Sequence, residues 1–216
     1  MQDESIKYEA ARFALLTRIS ASLRHKFVGR LQPIGFAAAL AGKQIQKQNF
    51  NAAIENIDKL QSLVRQATES AISVMAWITE EEPNSVLLKE GIEACIELIR
   101  TDCEMRGLKI EIGDLPDKIS VQRRVLRTFV ASILLAIVDA SEKPVRVCIT
   151  SAMVNDMVKL HFNIDRWVSD EPVANKEERR MCWGDVDALA LHEKIMIKKG
   201  SEIPMNQCEL FLRTLA

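Results

Sequence analysis

Acidic residues are missing from a long stretch near the start of this 216-residue chain. No Asp or Glu lies between Ala10 and Ile54, although the whole chain carries 30 acidic and 29 basic residues and a net charge of -1. The same stretch contains the basic residues Arg12, Arg18, Arg24, Lys26, Arg30, Lys43 and Lys47. A local field of one sign attracts an acidic partner, such as a protein pocket, a phosphate, a nucleic acid or an anionic membrane. The simpler interpretation is a solvated helix face that lacks acids by chance.

Two further absences narrow the class of protein. No apolar run is long enough to cross a bilayer, and the first residues lack the basic start and apolar segment of a signal peptide. The five cysteines are odd in number and none has C-x-x-C spacing, which argues against a zinc site and against a disulfide framework. We therefore expect a cytoplasmic protein with reduced thiols, no metal and no cofactor.

Apolar residues recur at steps of three and four along the first part of the chain, which predicts two amphipathic helices. The first runs from about residue 5 to 46 with a bend near Pro33, and the second from about 51 to 79. The apolar seams are Ile6, Ala10, Phe13, Leu16, Ile19, Leu23, Phe27, Leu31, Ile34 and Ala38, then Ile54, Ile57, Leu60, Val64, Ala67, Ala71, Val74 and Ile78. Two helices alone cannot bury both seams well, so we expect two hairpins to form a four-helix bundle in a homodimer.

The periodicity changes after an acidic linker at residues 80–85. The pattern then predicts a helix over 86–105, a strand over 108–112, a helix over 121–141, strands over 145–151 and 157–164, a helix over 185–199 and a strand over 207–215. This order is typical of a small α/β sandwich with mostly antiparallel strands and helices on one face. The predicted class is α+β, with a helical hairpin domain over residues 1–82 and a sandwich domain over 83–216.

His25 lies off the apolar seam of the first helix. Its neighbours on the same helix face are mostly small or polar and include Arg18, Gly29 and Gln32, so we expect an exposed imidazole. An exposed histidine, with a pKa of about 6.5, is mostly neutral and nucleophilic near neutral pH. Gly29 costs about 1 kcal/mol relative to alanine inside a helix, which suggests that another molecule approaches the backbone there.

Residues 25–34, with the sequence HKFVGRLQPI, resemble the phosphoacceptor box of histidine kinases. A helical hairpin followed by a small sandwich is also similar to the histidine kinase core, and to the dimeric histidine phosphotransferases of the sporulation and alphaproteobacterial cell-cycle relays. The resemblance implies that His25 accepts phosphate from a response-regulator receiver domain, which itself holds the magnesium ion. It also implies the partner-binding residues Arg18, Arg24, Lys26, Gly29, Arg30 and Gln32.

The second domain resembles a kinase ATP-binding domain that has lost its nucleotide site. The family binds magnesium-nucleotide through asparagines on a helix, and the matching positions here hold Ala131 and Leu135. The family's Asp-x-Gly element becomes Asp165, Arg166 and Trp167, and bulky and acidic residues replace the glycine-rich turns over 183–191. The resemblance therefore implies a phosphotransferase that binds no ATP.

Two other functions stay open. The first is a non-catalytic pseudokinase adaptor, a dimer that binds and sequesters a response regulator or a kinase. Lys26 and Gly29 favour it, because many kinases have an acid directly after the histidine that orients the ring, and often an Asn or Thr four residues after it. The second is a nucleic-acid or membrane binder that uses the basic stretch. We rank it last and expect neither partner, because aromatic residues do not interleave with the basic ones.

Overall fold

The computed structural model describes residues 2–78, 85–166, 179–199 and 206–215. The chain divides into two compact units. One unit comprises Met1–Ile19 together with Glu82–Ala216, and the other comprises Ser20–Glu81. We call them the sandwich unit and the hairpin unit. The first 19 residues therefore group with the sandwich, whereas the sequence places them in the helical domain; the functional roles of the two predicted domains stay predictions.

Two long helices confirm the predicted hairpin. Helix α1 spans Gln2–Gln46 and stays helical through Pro33, and helix α2 spans Phe50–Ile78. The tight connection has Gln48 in the left-handed region, and the Asn49 side chain accepts a hydrogen bond from the Ala52 amide at 3.3 Å. An Asn at this position satisfies one of the free amides at the start of a helix, so it defines where α2 begins.

The hairpin unit buries mostly small residues. Its buried side chains include Ala37, Ala41, Ala53 and Ala67. Its larger apolar residues are mostly exposed: Val28, Leu31, Phe36, Leu40 and Ile45 on α1, and Phe50, Ile54, Ile57, Val64, Ile72 and Met75 on α2. Of the predicted seam residues in this unit, Leu31, Ile54, Ile57 and Val64 are therefore exposed within one chain, whereas Leu23 and Ala67 are buried.

The sandwich unit contains a seven-stranded sheet in its described part. The strands are β1 (Ser85–Leu87), β2 (Leu108–Ile112), β3 (Ser120–Gln122), β4 (Val145–Val154), β5 (Met157–Ile164), β6 (Met196–Lys199) and β7 (Gln207–Leu215). Their order is β1-β3-β7-β5-β4-β2, and β6 also pairs with β7. Only the β2–β4 pair is parallel among these strands, so the predicted mostly antiparallel sheet is confirmed.

Three helices accompany the sheet: α3 (Leu88–Met105), α4 (Arg123–Asp139) and α5 (Trp183–Glu193). Along β5 the side chains alternate between buried and half-buried, as expected for a sheet covered on one face. Helix α4 is buried along almost its whole length and contacts both α3 and α5, so it forms the centre of the core.

The last predicted helix is wrong over its second half. Helix α5 ends at Glu193, where Lys194 adopts a left-handed conformation with φ 55°. Met196 and Ile197 then pair with Phe211 and Leu210 of β7. The physical reason is strand pairing with a distant segment, which local periodicity does not reveal.

The first turns of α1 pack on the sandwich. Ala11, Ala14 and Leu15 are buried, and the Tyr8 ring stacks on His192 with a centroid distance of 3.6 Å. This contact uses the face of α1 next to the predicted seam, because Ile6 and Phe13 are exposed. The N-terminal part of α1 is thus a component of the sandwich unit.

Candidate phosphoacceptor site

His25 is exposed near the middle of α1, as the sequence predicts. Arg24, Gly29 and Gln32 are exposed around it. A Cβ atom added to Gly29 would meet no atom within 4 Å, so the backbone there is open to an approaching molecule. Lys26 lies in α1, but its side chain is outside the described residues.

Arg30 is also exposed and connects the two helices of the hairpin. Its Nη1 donates a hydrogen bond to Oε1 of Gln66 on α2 at 3.1 Å. The Gln66 amide is neutral, so the arginine keeps its charge available to an anion while its position is restrained. Local sequence patterns give no signal for Gln66, because it lies on the other helix.

No acidic side chain orients the imidazole of His25 within the described part of the chain. A carboxylate that accepts a hydrogen bond from a ring nitrogen normally fixes the tautomer and strengthens the nucleophile. His25 is therefore an accessible nucleophile without a built-in orienting base.

The burial of Arg18 differs from the prediction. The sequence assigns it to the partner-binding face, but its side chain is only 6% exposed. Its Nε and Nη2 donate to the two oxygens of Asp139 at 2.9 and 2.8 Å, and Nη2 also donates to Asp102 at 2.8 Å. Burial lowers the pKa of Arg18, and the two carboxylates raise it by more, so the guanidinium stays charged. The guanidinium of Arg18 is paired with carboxylates inside the sandwich unit, so this side chain is not part of an exposed binding face.

Two of the positions that match the family's nucleotide contacts hold apolar side chains. Ala131 and Leu135 are buried in the middle of α4. Asp165 and Arg166 are exposed and lie 4.0 Å apart at their nearest charged atoms, and Trp167 is outside the described residues. These side chains offer a nucleotide neither the amide ligands nor the glycine turns that the family uses.

The start of α5 is closed by side chains. Met181 and Trp183 are fully buried, and Lys199 Nζ lies 5.0 Å above the Trp183 ring. Asp185 accepts hydrogen bonds from the Cys182 amide at 2.9 Å and from Arg179 at 2.6 Å. An acidic side chain at the first turn of a helix occupies the place where an anion would otherwise bind.

Residues 2–78, 85–166, 179–199 and 206–215 contain no cluster of three or more His, Cys, Asp or Glu side chains that could hold a metal ion. Within the same ranges, no helix combines the length and the apolarity needed to span a membrane.

Comparison with known proteins gives structural neighbours alone, since no protein-family model and no curated protein matches the chain. It is similar to the mycobacterial sensor histidine kinase MprB, at 12% identity and a TM-score of 0.44, over 61% of this chain and 97% of that one. It is similar to the Acinetobacter baumannii histidine kinase AdeS, at 14% identity and a TM-score of 0.43, over 84% and 94%. It is also similar to a histidine kinase from Burkholderia phymatum, at 11% identity and a TM-score of 0.45, over 87% and 98%.

Proposed function

We propose that this protein is a histidine phosphotransferase of a two-component phosphorelay. In this proposal His25 accepts a phosphoryl group from the aspartyl phosphate of a receiver domain and passes it to a second receiver, without ATP. The observation that carries the proposal is the exposure of His25 on a helix that has open backbone at Gly29 and basic residues at Arg24 and Arg30.

The chemistry requires little from this chain beyond a positioned nucleophile. A neutral imidazole nitrogen attacks phosphorus, the N–P bond forms, and the P–O bond to the receiver aspartate breaks with that carboxylate as the leaving group. The reverse step transfers the group to another aspartate. The receiver's own magnesium ion neutralises the phosphoryl oxygens, and Arg24 and Arg30 attract the acidic receiver surface.

The region that resembles an ATP-binding domain supports a donor other than ATP. Ala131 and Leu135 are buried and apolar, and the first turn of α5 holds the carboxylate of Asp185, so these three side chains offer no group that binds phosphate. In the proposal, His25 therefore takes its phosphate from another phosphorylated molecule, and a receiver domain is the donor that the resemblance implies. An aspartyl phosphate is a donor of sufficient energy for this transfer.

We also propose that the protein acts as a homodimer. The exposed apolar residues of α2 follow the alternating steps of three and four that are typical of a helix packed in a bundle, as in Phe50, Ile54, Ile57 and Val64. Such a stripe destabilises an isolated chain in water and favours association. A second hairpin with the same exposed stripes is the partner that the chain itself supplies.

Phosphate transfer tests the proposal directly. Receiver domains that carry labelled phosphate are mixed with the wild type, with His25→Gln and with His161→Gln, which changes a histidine on the sheet. We expect acid-labile label on the wild type and on His161→Gln, and none on His25→Gln. An incubation with labelled ATP alone should leave all three proteins unlabelled.

The adaptor function is the second candidate, and the missing orienting acid beside His25 favours it. An adaptor binds a receiver through Arg24, Gly29 and Arg30 but takes no phosphate. The same experiment separates the two functions. Equal receiver binding by the wild type and His25→Gln, with no label on either, would establish the adaptor and refute the phosphotransferase.

A further inference from the structure

One fully buried carboxylate joins three segments of the sandwich unit. Asp139, the last residue of α4, is 0% exposed. It accepts two hydrogen bonds from Arg18 of α1, lies 3.5 Å from Nη1 of Arg106, and accepts the Met181 amide at 2.8 Å. A buried carboxylate is tolerated only with such partners, because an unpaired charge in a protein interior is very costly.

The charges in this cluster balance. Arg18 also binds Asp102 at 2.8 Å, and Arg106 Nε binds the other oxygen of Asp102 at 3.3 Å. The side chains of these two arginines and two aspartates carry no net charge together, and we call them the ionic latch. Arg180 also donates a hydrogen bond to the backbone carbonyl of Asp139, at 3.4 Å. Removal of any member leaves a net charge inside the sandwich unit.

The N-terminal part of α1 is held at a second point. Tyr8 is nearly parallel to the His192 ring, with an interplanar angle of 16°, near the end of α5. Between Tyr8 and Arg18, the side chains of Ala11, Ala14 and Leu15 are buried. We call residues 2–19 the strap, since they are attached to the sandwich at both of these points.

We infer that the ionic latch is a conformational device that couples the strap to residues 179–183. Asp139 binds the strap through Arg18 and the start of α5 through the Met181 amide, so it cannot keep one bond unchanged when the other breaks. When Arg18 leaves, Asp139 must draw in water or turn away, and its bond to Met181 weakens. The coupling acts in both directions. A molecule that binds the start of α1 would therefore change the sandwich through this carboxylate.

Hydrogen exchange of the full-length chain tests the coupling. Arg18→Met is compared with the wild type and with Lys7→Met, a matched control that removes an exposed charge of the strap, one that pairs with Asp3 at the surface. We expect Arg18→Met to speed exchange about tenfold or more, both in residues 8–19 and in residues 181–186. Lys7→Met should change neither segment, and the β4–β5 hairpin should keep its protection in both variants.

A milder variant keeps the test decisive if Arg18→Met does not fold. Arg18→Lys retains the charge but not the two-pronged contact with Asp139, so it should speed exchange in the same two segments by a smaller factor. Faster exchange confined to residues 8–19 would refute the coupling. No change in either segment would show that Arg18 does not hold the strap on the sandwich unit. Neither reading depends on the phosphate-transfer result, because no phosphate is present.

Discussion

Burial separates the five cysteines into two groups. It raises the pKa of Cys95, Cys103 and Cys208 to about 12, and these thiols are buried. Cys148 and Cys182 are partly exposed. Burial, and then a hydrogen bond to Asp185, also raise the pKa of Cys182. Because the thiolate is the reactive form, iodoacetamide at about pH 8 should modify Cys148 first and Cys182 more slowly in the native protein, and should spare the three buried thiols. Peptide mapping by mass spectrometry checks this, and modification of Cys95 before unfolding would contradict it.

His161 gives the fold a pH dependence of known sign. Burial first, and then nearby Lys159, lowers its pKa, while Glu209 at 3.3 Å opposes the shift. The unfolded state therefore binds a proton at His161 more readily than the folded state does. The contribution of neutral His161 to the free energy of unfolding is present above about pH 6.5 and is lost as the pH falls below that value. We expect His161→Gln to reduce the loss of melting temperature between about pH 7 and pH 5.5. An identical pH profile for the wild type and the variant would count against this assignment.

The sequence predicts the exposure of His25 correctly but not the burial of Arg18. The exposure of His25 depends only on helical periodicity, which sequence supplies. The burial of Arg18 depends on Asp102 and Asp139, which lie 84 and 121 positions away. Both residues fall on the same predicted face seven positions apart, so no local pattern distinguishes the residue that stays in solvent from the one that is buried.

Helix α1 contains exposed glycines that no packing requires. A Cβ atom at Gly29, Gly35 or Gly42 would meet nothing within 4 Å. Alanine loses less backbone entropy on folding, so Gly35→Ala and Gly42→Ala should each stabilise the helix by about 1 kcal/mol. Urea unfolding measures the change. Gly29→Ala should give the same gain while it slows phosphate transfer, if the receiver approaches the backbone there.

A buried glycine serves as the control for this series. A Cβ atom at Gly91 of α3 would collide with the buried Leu126 side chain and press on Val86. Gly91→Ala should therefore destabilise the protein, in contrast to the exposed positions. If alanine changed the free energy of unfolding by the same amount at Gly35, Gly42 and Gly91, the space around each glycine would not determine the effect.

Strands with a clear alternating pattern were predicted well, including β2 and β7, which pair with distant segments, whereas the short strands were not. The hairpin strands β4 and β5, with their turn at Asn155, follow from alternation and turn residues. Most of the short strands β1 and β3 falls within the predicted helices, because three residues carry little periodicity. These strands form through the pairing of β1 with β3 and of β3 with the distant β7. The same cause explains why β6 was predicted as helix.

On the scale of the whole molecule, the hairpin unit carries unpaired charges of opposite sign on its two helices. Lys43 and Lys47 lie at the end of α1, and Glu55 and Asp58 lie on the first turns of α2. None of these four residues forms an ion pair among the residues that the structure describes. They flank the exposed apolar stripes, as charges at the edges of a helical bundle do. The hairpin therefore offers a second copy both apolar contact and complementary charge.

The homodimer predicts a specific response to a charge placed within the α2 stripe. Wild type should have about twice the 24.4 kDa mass of one chain in light scattering. Ile57→Lys puts an ammonium group into the apolar interface, where its desolvation is costly, so this variant should be monomeric at micromolar concentration. Ser62→Lys adds the same charge at an exposed polar position of α2 and should leave the dimer intact. A monomeric wild type would refute the dimer, and dissociation by both variants would show that net charge, not the stripe, controls association.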